Sequence, residues 1–286
     1  MSDVTRLIER IGDNKSLQNA AEPIQNVVRE ALPGDVRNFL HGTWLGHPLH
    51  PAVTNIPVGA WTAALFYDLI GEEKAASGAI GVGLAGALAS ALTGLTDWSE
   101  TDDRARSIGL LHGTLNVAAT ALYTASLLAR TSGRPRGRGT ALSTLGYAIA
   151  MASAYLGGHL VFAEQVGVDH TATADMKKPE TFTRAVKIDD LRENKPARAL
   201  GGGVAVLLVK RGDNIFAITE TCPHMGGPLS EGTIAGDAIE CPWHGSQLAL
   251  DDGHVVNGPT AFPARCFDVR LRGGYVEVRA RSAGSR

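Results

Sequence analysis

The sequence predicts two unlike folds in one chain: an N-terminal four-helix transmembrane bundle, then a small antiparallel β-sandwich or barrel. Three observations carry this. Four long apolar windows lie between residues 52 and 162. From Arg184 onward, short β-prone runs alternate with turn signals. Two Cys/His boxes stand in that second half. At 286 residues the chain suffices for about two domains. A net charge of −2 excludes the strongly basic domain that nucleic-acid binding needs.

Residues 1–46 read as an amphipathic helical arm. Thr5–Ile11 and Ser16–Leu32 carry apolar residues at helical spacing, and Pro33–Gly34 stops the second helix. The arm is expected to be solvated; the alternative is a helix lying in the membrane interface. Met1–Ser2–Asp3–Val4–Thr5–Arg6 lacks the apolar core of a secretory signal, and no twin-arginine pair opens the chain. Insertion into a membrane therefore falls to internal segments.

The apolar windows are Val53–Ile70, Ala75–Leu95, Ile108–Ala129 and Ala141–Phe162, each 18 to 22 residues long. That length spans a hydrocarbon core roughly 30 Å thick. Small residues fill the second window: Gly81, Gly83, Gly86, Ala87, Ala89, Ser90 and Ala91. Such residues let helices approach closely in lipid. Several of Trp44, Trp61, Tyr67, Trp98 and Tyr155 fall near segment ends, as in an aromatic belt. The transmembrane domain is thus expected over 47–164, a linker over 165–183 and the β domain over 184–281.

Strands are expected at Ala185–Ile188, Val204–Lys210, Asn214–Thr219, Ala238–Glu240, Gln247–Leu250, Phe267–Arg272 and Tyr275–Arg279. Gly201–Gly202–Gly203, Arg211–Gly212–Asp213–Asn214, Asp251–Asp252–Gly253 and Gly273–Gly274 mark turns between them. The three cysteines, Cys222, Cys241 and Cys266, do not make a disulfide framework. Cys266 lies in strand-like sequence and reads as a buried core thiol.

Cys222–Pro223–His224 is followed, after sixteen residues, by Cys241–Pro242–Trp243–His244–Gly245. Two such pairs on separate loops suit a two-iron cluster with unlike ends, thiolates on one iron and neutral imidazoles on the other. A zinc ion would use the same atoms, but the Cys-x-His pair is cramped for one tetrahedral ion. These boxes, with Gly258–Pro259 as a proline loop, resemble the Rieske [2Fe–2S] family over residues 184–281. The resemblance implies Cys222, His224, Cys241 and His244 as the cluster ligands.

Two departures bear on redox behaviour. Rieske domains of the cytochrome bc₁ type bridge their two loops by a disulfide; the matching positions here are Gly227 and Trp243. The chain therefore resembles the disulfide-free, ferredoxin-like branch. Ser246 stands where the high-potential branch places a serine that hydrogen-bonds a sulfide, and Leu248 where that branch has a tyrosine. Hydrogen bonds to the sulfurs raise the potential, so an intermediate value is expected, below the bc₁ type.

Four histidines decorate the bundle: His47 and His50 in the His47–Pro48–Leu49–His50–Pro51 box, His112 in the third window and His159 in the fourth. With four spans, the ends that carry them fall on one membrane face, together with Asp97 and the exit into the β domain. Ionisable groups at membrane depth point to function. Such histidines would ligate a b-type haem or a metal ion, or hydrogen-bond a quinone; the competing reading is a cluster that caps helix ends. The box, Gly94–Leu95–Thr96–Asp97, His112 with Asn116, and Gly157–Gly158–His159–Leu160–Val161 resemble DUF2231, an uncharacterised four-helix membrane domain, over about residues 40–165.

The leading expectation is a membrane-anchored electron-transfer protein, relaying single electrons between a [2Fe–2S] cluster and a haem or quinone at the histidine-rich face. Its partners would be the lipid bilayer and a redox partner protein or quinone. One alternative is an electron-delivery component for a separate oxygenase. Another is a non-catalytic membrane assembly or redox-sensing protein. On orientation the positive-inside rule divides: Arg130, Arg134, Arg136 and Arg138 lie in the loop between windows three and four, while Arg29, Arg37, Arg104, Arg106, Lys177 and Lys178 lie on the other side. The missing disulfide and the free Cys266 suit a reducing compartment, which places the Rieske-like domain in the cytoplasm.

Overall fold

The computed structural model describes residues 3–132, 136–172 and 178–281. Arg134 and Lys177 of the orientation argument lie outside them. The chain divides into two units, Met1–Pro33 with Pro48–Val166, and Gly34–His47 with Gly167–Arg286. In chain order the helices are α1 (Asp3–Gly12), α2 (Lys15–Ala31), α3 (Gly34–His41), α4 (His50–Val53), α5 (Asn55–Ile70), α6 (Glu73–Ser99), α7 (Asp103–Thr131) and α8 (Arg136–Phe162). Ten strands follow, β1 (Thr183–Lys187), β2 (Pro196–Gly201), β3 (Val204–Arg211), β4 (Asn214–Thr219), β5 (Thr233–Ala235), β6 (Ala238–Glu240), β7 (Gln247–Ala249), β8 (Val255–Asn257), β9 (Phe267–Arg272) and β10 (Tyr275–Ala280).

In the first unit, α6 shows how its composition is used. Its buried positions are Ala76, Ile80, Gly83, Gly86, Ser90, Thr93, Thr96 and Ser99, three or four residues apart. Val82, Leu88, Leu92 and Leu95 point outward and are exposed. Ile80 apart, the large apolar side chains are thus outside and the small and hydroxyl ones inside, the reverse of a water-soluble helix. The hydroxyls are satisfied within the helix: Ser90 donates to the Gly86 carbonyl at 2.9 Å and Thr96 to Leu92 at 2.8 Å. A Cβ on Gly83 would lie 2.2 Å from Trp61 Nε1, and one on Gly86 would lie 2.6 Å from Ile56. Glycine is what lets α5 sit against α6. Trp61 is buried and stacks on Tyr123 of α7, centroids 4.1 Å apart; it is an interior residue and not part of a belt.

Among the described residues, two helices are long and apolar enough to cross a membrane, Glu73–Ser99 and Gly137–Phe162. Only 28% and 22% of their apolar windows are buried. α5, at 16 residues, is shorter than that test requires. Thr54, with helical φ −60° and ψ −21°, joins it to α4, so helical backbone runs from His50 to Ile70.

The N-terminal arm keeps most of its surface exposed but packs one face on the helical unit. Ile8 is buried with Ile108 and Leu156. Gln25 is fully buried, and its Nε2 donates to the Trp98 and Thr101 carbonyls at 2.7 and 3.0 Å. Those carbonyls lie at the end of α6, where helix geometry leaves acceptors without partners. The arm is also not one piece. It breaks at Pro33, and α3 belongs to the second unit.

The second unit holds three antiparallel sheets, β1–β10–β9, β2–β3–β4 and β5–β6–β7–β8. β3 alternates between two cores. Val206 and Leu208 join Val276, Val278 and Phe267; Leu207 and Val209 join Ile218, Leu229, Ile239 and Leu248. Cys222 and Cys241 are part of the latter core. The expected strands are all present within two residues at each end. β2, β5 and β8 are additions. The Pro196–Gly201 run has little β character and is held by pairing with β3 across Gly202–Gly203, whose φ values are both positive. β5 and β8 have three residues each, too few to show a period. From Gly167 the expected linker belongs to this unit: Thr171 is buried, and the His170 N–H donates to the Pro223 carbonyl at 3.1 Å.

Candidate metal centre

The two Cys/His boxes form a matched pair of loops. In the first, the Cys222 N–H donates to the Gly227 carbonyl at 2.8 Å, and the Gly226 N–H donates to the Cys222 carbonyl at 3.0 Å. In the second, the Cys241 N–H donates to the Ser246 carbonyl at 2.8 Å, and the Gly245 N–H to the Cys241 carbonyl at 3.1 Å. The same i+5 and i+4 bonds thus close both turns. Each turn needs one left-handed residue, supplied by Gly226 (φ 81°) and Gly245 (φ 71°). The second loop is strung directly between β6 and β7, and the first follows β4.

The closures bring like side chains together. The Cys222 and Cys241 thiols are buried and within hydrogen-bonding distance of each other. The His224 and His244 rings meet edge to face, centroids 4.9 Å apart, and are half-buried. A Cβ on Gly227 would lie 3.0 Å from Cys241 Sγ and 3.0 Å from the Trp243 ring. The two positions where a disulfide would bridge the loops therefore do face each other, and they hold a glycine and an indole. A buried thiol pair beside a more exposed imidazole pair fits a two-iron cluster with unlike ends. The Cys222 thiol donates to Cys241, which holds Cys241 below the usual thiol range; the Trp243 and His244 N–H groups add to this. The same bond holds Cys222 above that range.

Residues 181–268 match the family model of the Rieske [2Fe-2S] domain. The ferredoxin CarAc of Metapseudomonas resinovorans is 42% identical over 100 residues, which cover 35% of this chain and 94% of that protein. The chain belongs to the Rieske family. An anthranilate 1,2-dioxygenase ferredoxin subunit from Burkholderia cepacia is 32% identical over 91 residues, 32% of this chain and 84% of that one. Among solved structures, the ferredoxin of carbazole 1,9a-dioxygenase from Nocardioides aromaticivorans is 28% identical with a TM-score of 0.33, over 35% of this chain and 99% of that one. Residues 46–170 match a second family model, described as predicted membrane protein (DUF2231). The chain is thus a Rieske electron-transfer protein of the [2Fe–2S] kind that also carries a predicted membrane domain.

Around the Rieske loops, Ser246 is fully buried. It is a hydrogen-bond partner of the Cys222 sulfur, and its Oγ accepts the Thr260 N–H at 3.1 Å. Thr260 follows Gly258–Pro259, so that segment lies beside the second loop, where the sequence put it. Leu248 is fully buried in the core below. Cys266 is half-buried at the edge of that core, and burial pushes its thiol up to about 11.

Of the four bundle histidines, two have matching environments within the helical unit. His50 Nδ1 lies 3.0 Å from the Ser90 carbonyl, and His112 Nδ1 lies 2.8 Å from the Ser153 carbonyl. A carbonyl only accepts, so each Nδ1 carries the proton and each Nε2 keeps its lone pair. Both rings are seated on glycine: a Cβ on Gly94 would lie 2.7 Å from His50, and one on Gly157 3.1 Å from His112. Asn116 Nδ2 donates to His112 Nε2 at 3.1 Å. His159, two residues beyond Gly157, turns to the other side of α8 and pairs with Glu164 at 3.4 Å; Glu164 in turn pairs with Arg104 at 3.3 Å. His47 belongs to the second unit.

One constellation has no counterpart in the sequence reading. Arg130 binds Asp68 through two parallel bonds, 2.8 and 2.6 Å, with both side chains almost fully buried. Ser143 donates to Asp68 at 3.0 Å, and Arg130 Nε donates to Ser126 at 3.2 Å. Its only signal was a lone aspartate in an apolar window.

Proposed function

We propose that this protein is a membrane-anchored one-electron carrier whose cluster is held by Cys222, His224, Cys241 and His244, with α5–α8 crossing the bilayer. The matched Cys/His loops are the observation that carries the reading. When bound, a [2Fe–2S] cluster supplies one-electron exchange. The buried thiols form the inner end of that site, and the Trp243, His244 and His224 N–H groups stabilise negative charge on their sulfurs. The half-buried imidazoles form its outer end, where a partner can approach. The inverted arrangement of α6, with large apolar side chains outside and hydroxyls inside, supports the four-span reading, as does the helical run from His50 to Ile70.

The second centre is assigned to His50 and His112. Each donates Nδ1–H to a carbonyl, which leaves Nε2 as the acceptor that binds iron or takes a proton from a quinol; at His112 the Asn116 amide occupies that lone pair and would have to be displaced. By the parity of four spans, their helix ends share a membrane face with the end of α8, from which the chain leads on to the Rieske domain. The missing inter-loop disulfide and the unbridged Cys266 support a cytoplasmic location for that domain. A second reading, electron delivery to a separate oxygenase, is favoured by the names of the ferredoxin relatives.

The absorption and EPR spectra of the purified full chain test these assignments. A Rieske signal is expected, lost on Cys241→Ser. A Soret band, or reduction of the cluster by an added quinol, is expected and should vanish in His50→Ala and His112→Ala while the Rieske signal stays. Reduction only in the presence of an oxygenase reductase, with His112→Ala unaffected, would replace this reading by the oxygenase one.

A further inference from the structure

α3 lies 220 residues from the proline loop in sequence, yet it is part of the same unit. Asn38 Oδ1 accepts the Gly258 N–H at 2.8 Å. A Cβ on Gly258 would lie 3.2 Å from His41 Cδ2 and 3.3 Å from Asn38 Oδ1, so the helix is seated directly on that glycine. His41 is buried there, at 4% exposure. Asn38 is itself fixed from behind: its carbonyl accepts from the Thr43 N–H at 3.2 Å and from Thr43 Oγ1 at 3.1 Å. From Gly258 the chain runs through Pro259 to Thr260, whose N–H donates to Ser246 Oγ. That leaves the Ser246 hydroxyl proton to point at the Cys222 sulfur, its other partner.

We propose that Asn38 is a positioning residue for the cluster: α3 fixes the 258–260 loop, the loop orients Ser246, and Ser246 sets the charge that the Cys222 sulfur can bear. The inference rests on the cluster assignment above. A hydrogen bond to a ligand sulfur stabilises the reduced, more negative state and raises the potential. Loosening its orientation lowers it. The family model spans residues 181–268 and so does not include Asn38; this chain supplies the support from a segment between α2 and α4.

A double-mutant cycle on the full chain tests this. Asn38→Ala, Ser246→Ala and the pair are titrated with redox mediators, read by the visible spectrum of the cluster. Asn38→Ala should lower the reduced-to-oxidised ratio at the wild-type midpoint by about threefold to tenfold, a tenfold change being 59 mV for one electron. Ser246→Ala should lower it at least as far. Asn38→Ala should add nothing in the Ser246→Ala background, because its effect passes through that hydroxyl. Asn38→Gln keeps a neutral acceptor oxygen and should retain the wild-type midpoint. An unchanged midpoint in Asn38→Ala, or an equal further shift in the Ser246→Ala background, overturns the proposal. If Asn38→Ala loses the cluster altogether, Asn38→Gln decides: a midpoint displaced from wild type refutes the role. Absence of a Rieske spectrum in the wild-type chain would instead refute the cluster assignment.

Discussion

Replacing Asp68 with alanine should destabilise the helical unit far more than replacing Asp68 and Arg130 together. In the wild-type chain the Arg130 guanidinium makes two bonds to Asp68 and further bonds to Ser143 and Ser126. The two side chains are 2% and 1% exposed, so neither has water to fall back on. Asp68→Ala leaves the cation with two hydroxyls and no counter-charge. Breaking a buried pair in this way costs about 3–5 kcal/mol. At roughly 2–4 °C per kcal/mol for a unit of this size, the melting temperature should fall by on the order of 10 °C. Asp68→Leu with Arg130→Met removes both charges, and exchanging a buried pair for apolar residues is often neutral. The assay is thermal unfolding in detergent, followed by helical circular dichroism, with the Rieske spectrum as a control for the β domain. If the single and double variants melt together, or Asp68→Ala melts with wild type, the pair is not buried as described and the reasoning fails.

Two further outcomes follow from packing and burial. Gly83→Ala forces a methyl into Trp61 and should cost about 1–3 kcal/mol; Gly78→Ala, in the same helix with nothing within 4 Å, should be neutral or stabilising. Equal melting temperatures for the two variants would show that α5 does not pack on α6 through Trp61. Cys266, held near 11 by burial, should be alkylated at pH 8 roughly a hundredfold more slowly than an ordinary thiol. Its rate should climb about tenfold per pH unit until pH nears 11, which mass spectrometry after iodoacetamide would follow. A rate already at its plateau near pH 9 would refute the shift.

What the sequence revealed was mostly local. Cys222 to Gly227 and Cys241 to Ser246 are five-residue closures, so the spacing of Cys, His and Gly within each box is already its geometry. The strands of the β domain were legible because β3, β4, β9 and β10 are each six or eight residues long and bounded by turn residues. β2 was not, because its ladder with β3 and not its composition makes it a strand. Asp68 could be read only as a lone charge, since its partner lies 62 residues on. The fate of the N-terminal arm was illegible for the same reason. Gln25 looks like any polar residue on a helix until the carbonyls of Trp98 and Thr101 arrive beside it.

The same distinction separates holding a cluster from tuning it. Ligands must be deprotonated and close, and two short loops with one left-handed glycine each achieve that without help from the rest of the chain. The charge those sulfurs tolerate depends on the donors aimed at them, and here the donor is aimed from outside the loops. Ser246 accepts from Thr260, Thr260 is carried by the Gly258 loop, and Gly258 is held by Asn38, the two hydrogen bonds spanning 14 and 220 residues. A free-standing ferredoxin domain comprising the matched residues 181–268 would keep all four ligands and lose the last link. On the proposal above, the loops that would hold the cluster are shared with the family, while the support from α3, which lies in the same unit as those loops, would tune it.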